Sequence, residues 1–454
     1  MRAFPMMPTA SSRYAGAAHL HRAASMPFAA LALACALAGC HREATSGAEA
    51  RRPAPDAALI ARGAYLAKAG DCAACHNAAD HTPFAGGMPL NSPFGSIYAS
   101  NITPDPEHGI GRYMPAQFAA ALQRGEAPNG RHLYPAMPYP SFARLQTADV
   151  AALYQYFMYG VAPSARTVPE TRLPFPFNQR WAMVLWRLAF ARGSTFVARP
   201  GQSAAWNRGA YLVQGLGHCG ACHTPRGPAY NELGYDESSP RYLTGATNDH
   251  WFAPNLTGDA GSGLGRWSAN DIAAFLRGRH DARAFAFGAM APVVGESTRS
   301  LSDDDLQAIA VYLKSLPARE TSGAFDATVT ARATTARVLR TGVPEQPGAG
   351  VYLAFCAKCH GADGAGTPGK APALAGSALA LSRDATTALR VVIEGSASPP
   401  LDNGAPARSM PGFRNQLSDT EIAQVVSFVR GAWGNEAKPV DAPEVTRLRE
   451  SIHR

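Results

Sequence analysis

The sequence predicts a mainly α-helical chain of three tandem units, and three observations point there. The pattern Cys-x-x-Cys-His occurs three times, as "CAACH" ending at His76, "CGACH" ending at His223 and "CAKCH" ending at His360. The copies stand 147 and 137 residues apart, an interval the size of a domain. After each come a Gly-, Pro- and Asn-rich stretch and then apolar residues recurring at three and four, the period of a helix with one buried face, while strand alternation is scarce. At 454 residues, one undivided hydrophobic core is not expected.

Residues 1–40 read as an export signal. An irregular basic lead precedes "MPFAALALACALAGC", whose apolar run of roughly a dozen residues is short for a spanning helix. The ending "LAGC" resembles a bacterial lipobox, which would make Cys40 a lipidated N-terminus; ordinary cleavage after Ala36, Leu37 and Ala38 is the alternative. Either route places the mature protein outside the cytoplasm, where disulfides are allowed but not required. The formal charge of +8 falls to +5 when Arg2, Arg13 and Arg22 leave with the signal. Lys and Arg are scattered, with no basic run or aromatic-interleaved stripe, which argues against nucleic-acid binding.

The first unit spans 53–165 and the second 205–318, and the two share text. "RGAYL" at 62–66 returns at 208–212, and "NITPDPEHGIGRY" at 101–113 answers "NLTGDAGSGLGRW" at 255–267. The helical stretches "AQFAAALQRG" and "NDIAAFLRG" follow. The third unit, 345–435, differs in text but keeps the plan. The closing helices are "TADVAALYQYFMYG", "SDDDLQAIAVYLKSL" and "SDTEIAQVVSFVRGAW", with Thr147, Ser302 and Ser418 as N-caps and acids in the first turn. The linker 166–204 carries an apolar piece at 181–190, too short to span a bilayer, which reads either as a packed helix or as a docking surface for a partner or membrane. The Thr- and Ala-rich linker 319–344 is expected to wrap the surface, and 436–454 is a polar tail.

Cysteine usage points to the chemistry. Cys35 lies inside the signal and Cys40 at its end, so the mature domains own six cysteines: Cys72 and Cys75, Cys219 and Cys222, Cys356 and Cys359. All six sit in the repeated pentads. Two thiols three apart can form thioethers to the two vinyl groups of a haem, and the next residue places an imidazole under the iron. A redox dithiol would need one pair and no histidine, and structural zinc would need knuckles that share a metal. Three covalently bound haem c groups are therefore expected, with His76, His223 and His360 as proximal iron ligands. Each porphyrin would also serve as part of the core of a small unit.

A thioether above the iron closes the site for electron transfer, whereas an open position binds small molecules. Met137 in "LYPAMPYPSF", Met290 in "FGAMAPVV" and Met410 in "RSMPGF" lie at equivalent places, each in a Pro-containing loop before the closing helix. Met88 ranks second in the first unit. Pro225 and Pro372 could supply backbone acceptors for the proximal Nδ1 proton or merely punctuate turns. Arg112 and Arg266 could pair haem propionates or be solvated. His218 and His280 read as surface or core residues. "GADGAG" follows a pentad, not a strand, so a dinucleotide site is rejected.

With these residues in place, the chain over 53–435 resembles the triple-haem cytochrome c subunits of bacterial membrane-bound dehydrogenases, both the flavoprotein gluconate, fructose and sorbitol types and the quinoprotein alcohol dehydrogenases. The matching text includes "PFGSIYASNITPD", "LYPAMPY", "CGACHTPR", "PFNQRW", "CAKCHGADGAG" and "MPGF". The resemblance implies three tandem class I cytochrome c-like domains and Met137, Met290 and Met410 as distal ligands. It implies electrons passing from a catalytic subunit of flavoprotein, quinoprotein or molybdenum type to ubiquinone, or else to a terminal oxidase. It also implies a place on the periplasmic side of the cytoplasmic membrane and no substrate site in this chain; a lipid on Cys40, as the lipobox reading has it, would replace the C-terminal amphipathic anchor found in some relatives. A free periplasmic carrier and a multihaem enzyme with one open haem are the alternatives.

Overall fold

The structure, a computed structural model, describes residues 52–452 apart from 192, 280–282, 342–344, 401–403 and 405. The export signal, Cys40 and His280 lie outside the described residues. Helices dominate, and the strands among the described residues form four two-stranded antiparallel ribbons.

Each pentad is preceded by a leading helix that packs on the closing helix of its unit. The pairs are Ala57–Ala69 with Thr147–Gln155, Ala204–Tyr211 with Asp303–Ser315, and Ala349–Phe355 with Asp419–Gly431. The glycine of "RGAYL" sets the first two contacts. A Cβ on Gly63 would lie 2.1 Å from the Ala152 carbonyl oxygen, and one on Gly209 would lie 1.9 Å from that of Ala308. No side chain fits there, so the helix backbones touch.

The neighbours of that glycine join the two repeated units. Arg62 Nε donates to Asp149 at 2.8 Å, and Arg208 grips Asp305 through two bonds of 2.7 and 2.8 Å, each arginine holding its own unit's closing helix. The tyrosines cross over. The Tyr65 hydroxyl donates to Asp305 at 2.6 Å and accepts the Ser302 amide at 3.1 Å. The Tyr211 hydroxyl donates to Asp149 at 2.6 Å and accepts the Gln146 amide at 3.2 Å. Each unit thus caps the closing helix of the other.

This exchange corrects one expectation. Thr147 is not an N-cap: the cap position is Gln146, whose side chain makes no capping bond and donates to the Phe196 carbonyl at 2.7 Å, while its own amide is taken by Tyr211 from the second unit. Ser302 and Ser418 do cap, accepting from the amides of Asp305 and Glu421.

One hydrophobic core runs through both repeated units, from Leu66 to Leu316, and a second, from Leu339 to Leu448, belongs to the last part of the chain. The second is built on the fully buried rings of Tyr352 and Trp433. The ribbon of Ala246–Asn248 and Trp251–Ala253 lies against helix Thr386–Glu394. There the Thr387 hydroxyl meets both the amide and the carbonyl of Phe252, at 2.7 and 3.1 Å. The repeated pair is therefore packed as one body, to which the last part docks through polar contacts.

Two segments behave differently from their sequence reading. Residues 324–341 of the second linker are part of the last body: Ala324–Phe325 pairs with Asn435–Glu436, and helix Val329–Thr341 buries Ala336 and Leu339. The polar tail contains helix Ala442–Ser451, which packs on Asp419–Gly431 through buried Val445 and Leu448. Both had only sparse apolar residues, three or seven apart, which suffice once a neighbouring helix supplies the other wall. The linker helix Ala182–Phe190 is half docked. Trp186 donates to the Ala229 carbonyl at 2.8 Å, while Trp181 and Leu185 are 65 % and 60 % exposed.

Candidate haem sites

The pentads form single helical turns, Cys72–His76, Gly220–His223 and Ala357–His360, directly after their leading helices. In each, the proximal imidazole is pinned the same way. Nδ1 of His76 meets the Ser100 carbonyl at 2.7 Å, that of His223 the Pro254 carbonyl at 2.7 Å, and that of His360 the Pro372 carbonyl at 3.0 Å. A carbonyl only accepts, so Nδ1 carries the proton and the Nε2 lone pair is left for a metal. Burial pushes all three imidazoles below their usual pKa, against the pull of those carbonyls, which keeps them neutral as ligands must be.

The acceptor for His223 corrects a sequence expectation. Pro225 does not supply it, since its carbonyl takes the Leu233 amide; Pro254 does. Pro372 serves His360 as expected. The missed acceptors, Ser100 and Pro254, stand immediately before the repeated Asn-x-Thr, and that repeat was the signal available. Asn101 donates to the Ser164 carbonyl at 2.8 Å and accepts the Thr103 amide at 2.9 Å; Asn255 donates to the Arg319 carbonyl at 2.7 Å and accepts the Thr257 amide at 2.8 Å. Both asparagines are buried, and they lock the loop that presents the carbonyl. The histidine carbonyls are met as well, by the amides of Gly86, Gly245 and Gly366, whose φ values of +73°, +90° and +75° suit glycine.

The thiols do not resemble a redox dithiol. Burial pushes Cys72 and Cys219 up to about 12 and Cys75 and Cys356 up to about 11, whereas a reactive dithiol needs a lowered value. Among the described residues no group of three or more His, Cys, Asp or Glu could hold a metal ion, so a shared zinc site is not built either. Paired thiols beside an imidazole with free Nε2 fit covalently held haem.

Met137 and Met290 are half-buried against the core that also receives Cys72 and Cys219, and Met410 against the core that receives Cys356. Met88 is not among the side chains packed on that first core, and its carbonyl accepts the Ala99 amide. Arg266 is not free for a propionate: its guanidinium donates to the carbonyls of Ala260, Gly261 and Gly376. Arg112 is exposed. His218 has a role the sequence did not indicate. Its Nε2 donates to the Gly70 carbonyl at 3.3 Å, tying the turn before the second pentad to the turn before the first.

The cytochrome c family matches residues 207–317 and 345–433. The chain is 44 % identical over 407 residues to the alcohol dehydrogenase (quinone) cytochrome c subunit of Gluconacetobacter polyoxogenes, covering 88 % of this chain and 86 % of the relative. The chain belongs to the family of dehydrogenase cytochrome c subunits. The gluconate 2-dehydrogenase cytochrome c subunit of Pantoea cypripedii is 45 % identical over 405 residues, 87 % of this chain and 90 % of that protein. The fructose dehydrogenase cytochrome subunit of Gluconobacter japonicus is 38 % identical over 418 residues, 88 % of this chain and 84 % of that one. As a cytochrome c, this subunit carries covalently bound haem c, the group its pentads are built to hold.

Proposed function

We propose that this cytochrome c holds three haems and carries electrons from a catalytic dehydrogenase subunit to a membrane quinone. Haem c supplies reversible one-electron chemistry at its iron. The chain's part is to fix that chemistry in place. Cys72 and Cys75, Cys219 and Cys222, and Cys356 and Cys359 would anchor the three groups, and His76, His223 and His360 together with Met137, Met290 and Met410 would ligate their irons. The observation that carries the reading is the His218–Gly70 bridge, which ties two pentads together inside one core, with the third body docked on the same chain. Adjacent redox centres suit a wire rather than three separate sites.

The named relatives serve alcohol, gluconate and fructose dehydrogenases, which favours a partner that oxidises CH–OH or aldehyde donors, whether of flavoprotein, quinoprotein or molybdenum type. The word quinone in the first relative's name supports that acceptor over a terminal oxidase. Among the described residues no helix is long and apolar enough to cross a membrane. We place the protein on the periplasmic side, held by a lipid on Cys40 and by the exposed apolar face of Ala182–Phe190 against the membrane surface.

A reduced-minus-oxidised spectrum with haem quantification, followed by carbon monoxide, tests the reading. Three covalent haems indifferent to carbon monoxide, on a protein that co-purifies with a large dehydrogenase, are expected. One reactive haem would move the chain to the class of multihaem enzymes, and isolation as a lone soluble cytochrome would sink the complex.

A further inference from the structure

Both backbone contacts that hold His223 come from the two ends of one small ribbon. The Gly245 amide donates to the His223 carbonyl at 2.7 Å, and the Pro254 carbonyl accepts from Nδ1 at 2.7 Å. Between them run the paired strands Ala246–Asn248 and Trp251–Ala253, and Asn248 donates to the Cys222 carbonyl at 2.9 Å. Whatever fixes this ribbon therefore fixes the imidazole of the second pentad. An isolated two-stranded ribbon is marginally stable at best, so the support has to come from outside it.

The third unit supplies it. The buried Thr387 hydroxyl accepts the Phe252 amide at 2.7 Å and donates to the Phe252 carbonyl at 3.1 Å. Arg383 donates to the Gly245 carbonyl at 2.8 Å, and Asp384 accepts from the Thr247 hydroxyl at 2.9 Å. Arg390 donates to the Asp249 carbonyl at 2.7 Å and lays its guanidinium 4.3 Å from the centre of the Trp251 ring. The ribbon is gripped at both ends and along its length.

The first unit shows what this grip replaces. Its own ribbon, Pro89–Leu90 with Ile97–Tyr98, likewise lies between a glycine amide on the proximal histidine carbonyl, from Gly86, and the carbonyl that accepts from Nδ1, of Ser100. The amide two residues before that acceptor, Tyr98, donates at 3.0 Å to the hydroxyl of Thr171, which belongs to the linker directly after the same unit. In the second unit the amide two residues before the acceptor is Phe252, and the threonine that meets it stands in the third unit. One bond is made in both places, once from within and once from across a domain boundary.

We propose that Thr387 is a positioning residue for the second haem: by docking on this ribbon, the third unit fixes the bond between His223 and Pro254 and so sets the potential of an iron it does not itself hold. The proposal rests on the reading of the second pentad as a haem site with His223 as proximal ligand. A firm bond from Nδ1 to a carbonyl makes the imidazole a stronger donor and favours the ferric state, so loosening the ribbon raises the potential.

The test is a redox titration of the full chain with its haems attached. The second haem is the midpoint that disappears when Cys219 and Cys222 are both replaced by Ala. Thr387→Val keeps the side-chain shape and removes both bonds; the second midpoint is expected to rise, with three haems present and the other two midpoints unmoved. Thr387→Ser keeps the hydroxyl and is expected to return the wild-type value, which a merely structural role for the side chain would not require. Should the valine protein hold fewer than three haems, the decision falls to Arg383→Met, which frees the Gly245 carbonyl and is expected to move the same midpoint upward. A second midpoint at the wild-type value, a shift confined to another haem, or a serine protein that behaves like the valine one overturns the role of Thr387 and leaves the haem assignment standing. A protein without Cys219 and Cys222 that still holds three haems overturns the assignment and the proposal together.

Discussion

Replacing Tyr65 and Tyr211 by Phe should loosen the joint between the repeated units while leaving their rings in the core. Each hydroxyl gives one bond of 2.6 Å to a carboxylate, Asp305 or Asp149, and accepts one helix-end amide at 3.1 or 3.2 Å. A hydrogen bond to a charged group contributes about 1.5–3 kcal/mol, and the stranded amide adds to the loss, so each change costs about 2–3 kcal/mol. The two tyrosines share no partner, so their costs add to about 5 kcal/mol. With an m-value of about 3 kcal/mol/M for a body of this size, the urea midpoint of the repeated pair falls by roughly 1.7 M. The last body has its own core and keeps its midpoint. Urea titration of the haem-loaded protein, following tryptophan fluorescence and the haem spectrum, reads both transitions. A double variant with the wild-type midpoint, or one in which both transitions move together, would refute the exchange of caps between units.

Asn255→Ala frees the loop that presents the Pro254 carbonyl to His223; the weakened hydrogen bond makes the imidazole less basic, so the second haem's potential should rise with the haem still attached, as redox titration would show. Met290→Ala should likewise keep the haem but lower its potential and admit carbon monoxide; an unchanged spectrum would transfer the ligand role to another residue. Gly209→Ala must push the second unit's paired helices apart, since its Cβ would meet the Ala308 carbonyl at 1.9 Å, and a loss of about 1–3 kcal/mol or more is expected in the same urea assay. Burial raises Asp305, but the bonds from Arg208 and Tyr65 outweigh it and hold its pKa below the usual value. The folded state then binds fewer protons than the unfolded one in acid, so this stabilisation is complete above about pH 4 and is lost as pH falls through the lower folded value. Denaturation midpoints measured from pH 6 to pH 3 should show that loss, reduced in Asp305→Asn.

Cofactor chemistry was legible in the sequence because it depends on local spacing: two thiols and an imidazole within five residues define the attachment whatever the rest of the chain does. The duplication was legible too, since "RGAYL" and the Asn-x-Thr loops recur as text, and the closing helices could be placed from their apolar period. What those repeats are for was decided in three dimensions. The glycine of "RGAYL" matters because another helix's carbonyl lies against it, and its tyrosine because a carboxylate and an amide of the other unit wait there. The same distance in sequence hid the carbonyls behind His76 and His223, the bridge from His218 to Gly70 and the hold of Thr387 on Phe252. Contacts between residues tens to hundreds of positions apart leave no periodic trace in a single chain; only the packing of one core around two pentads brings them together.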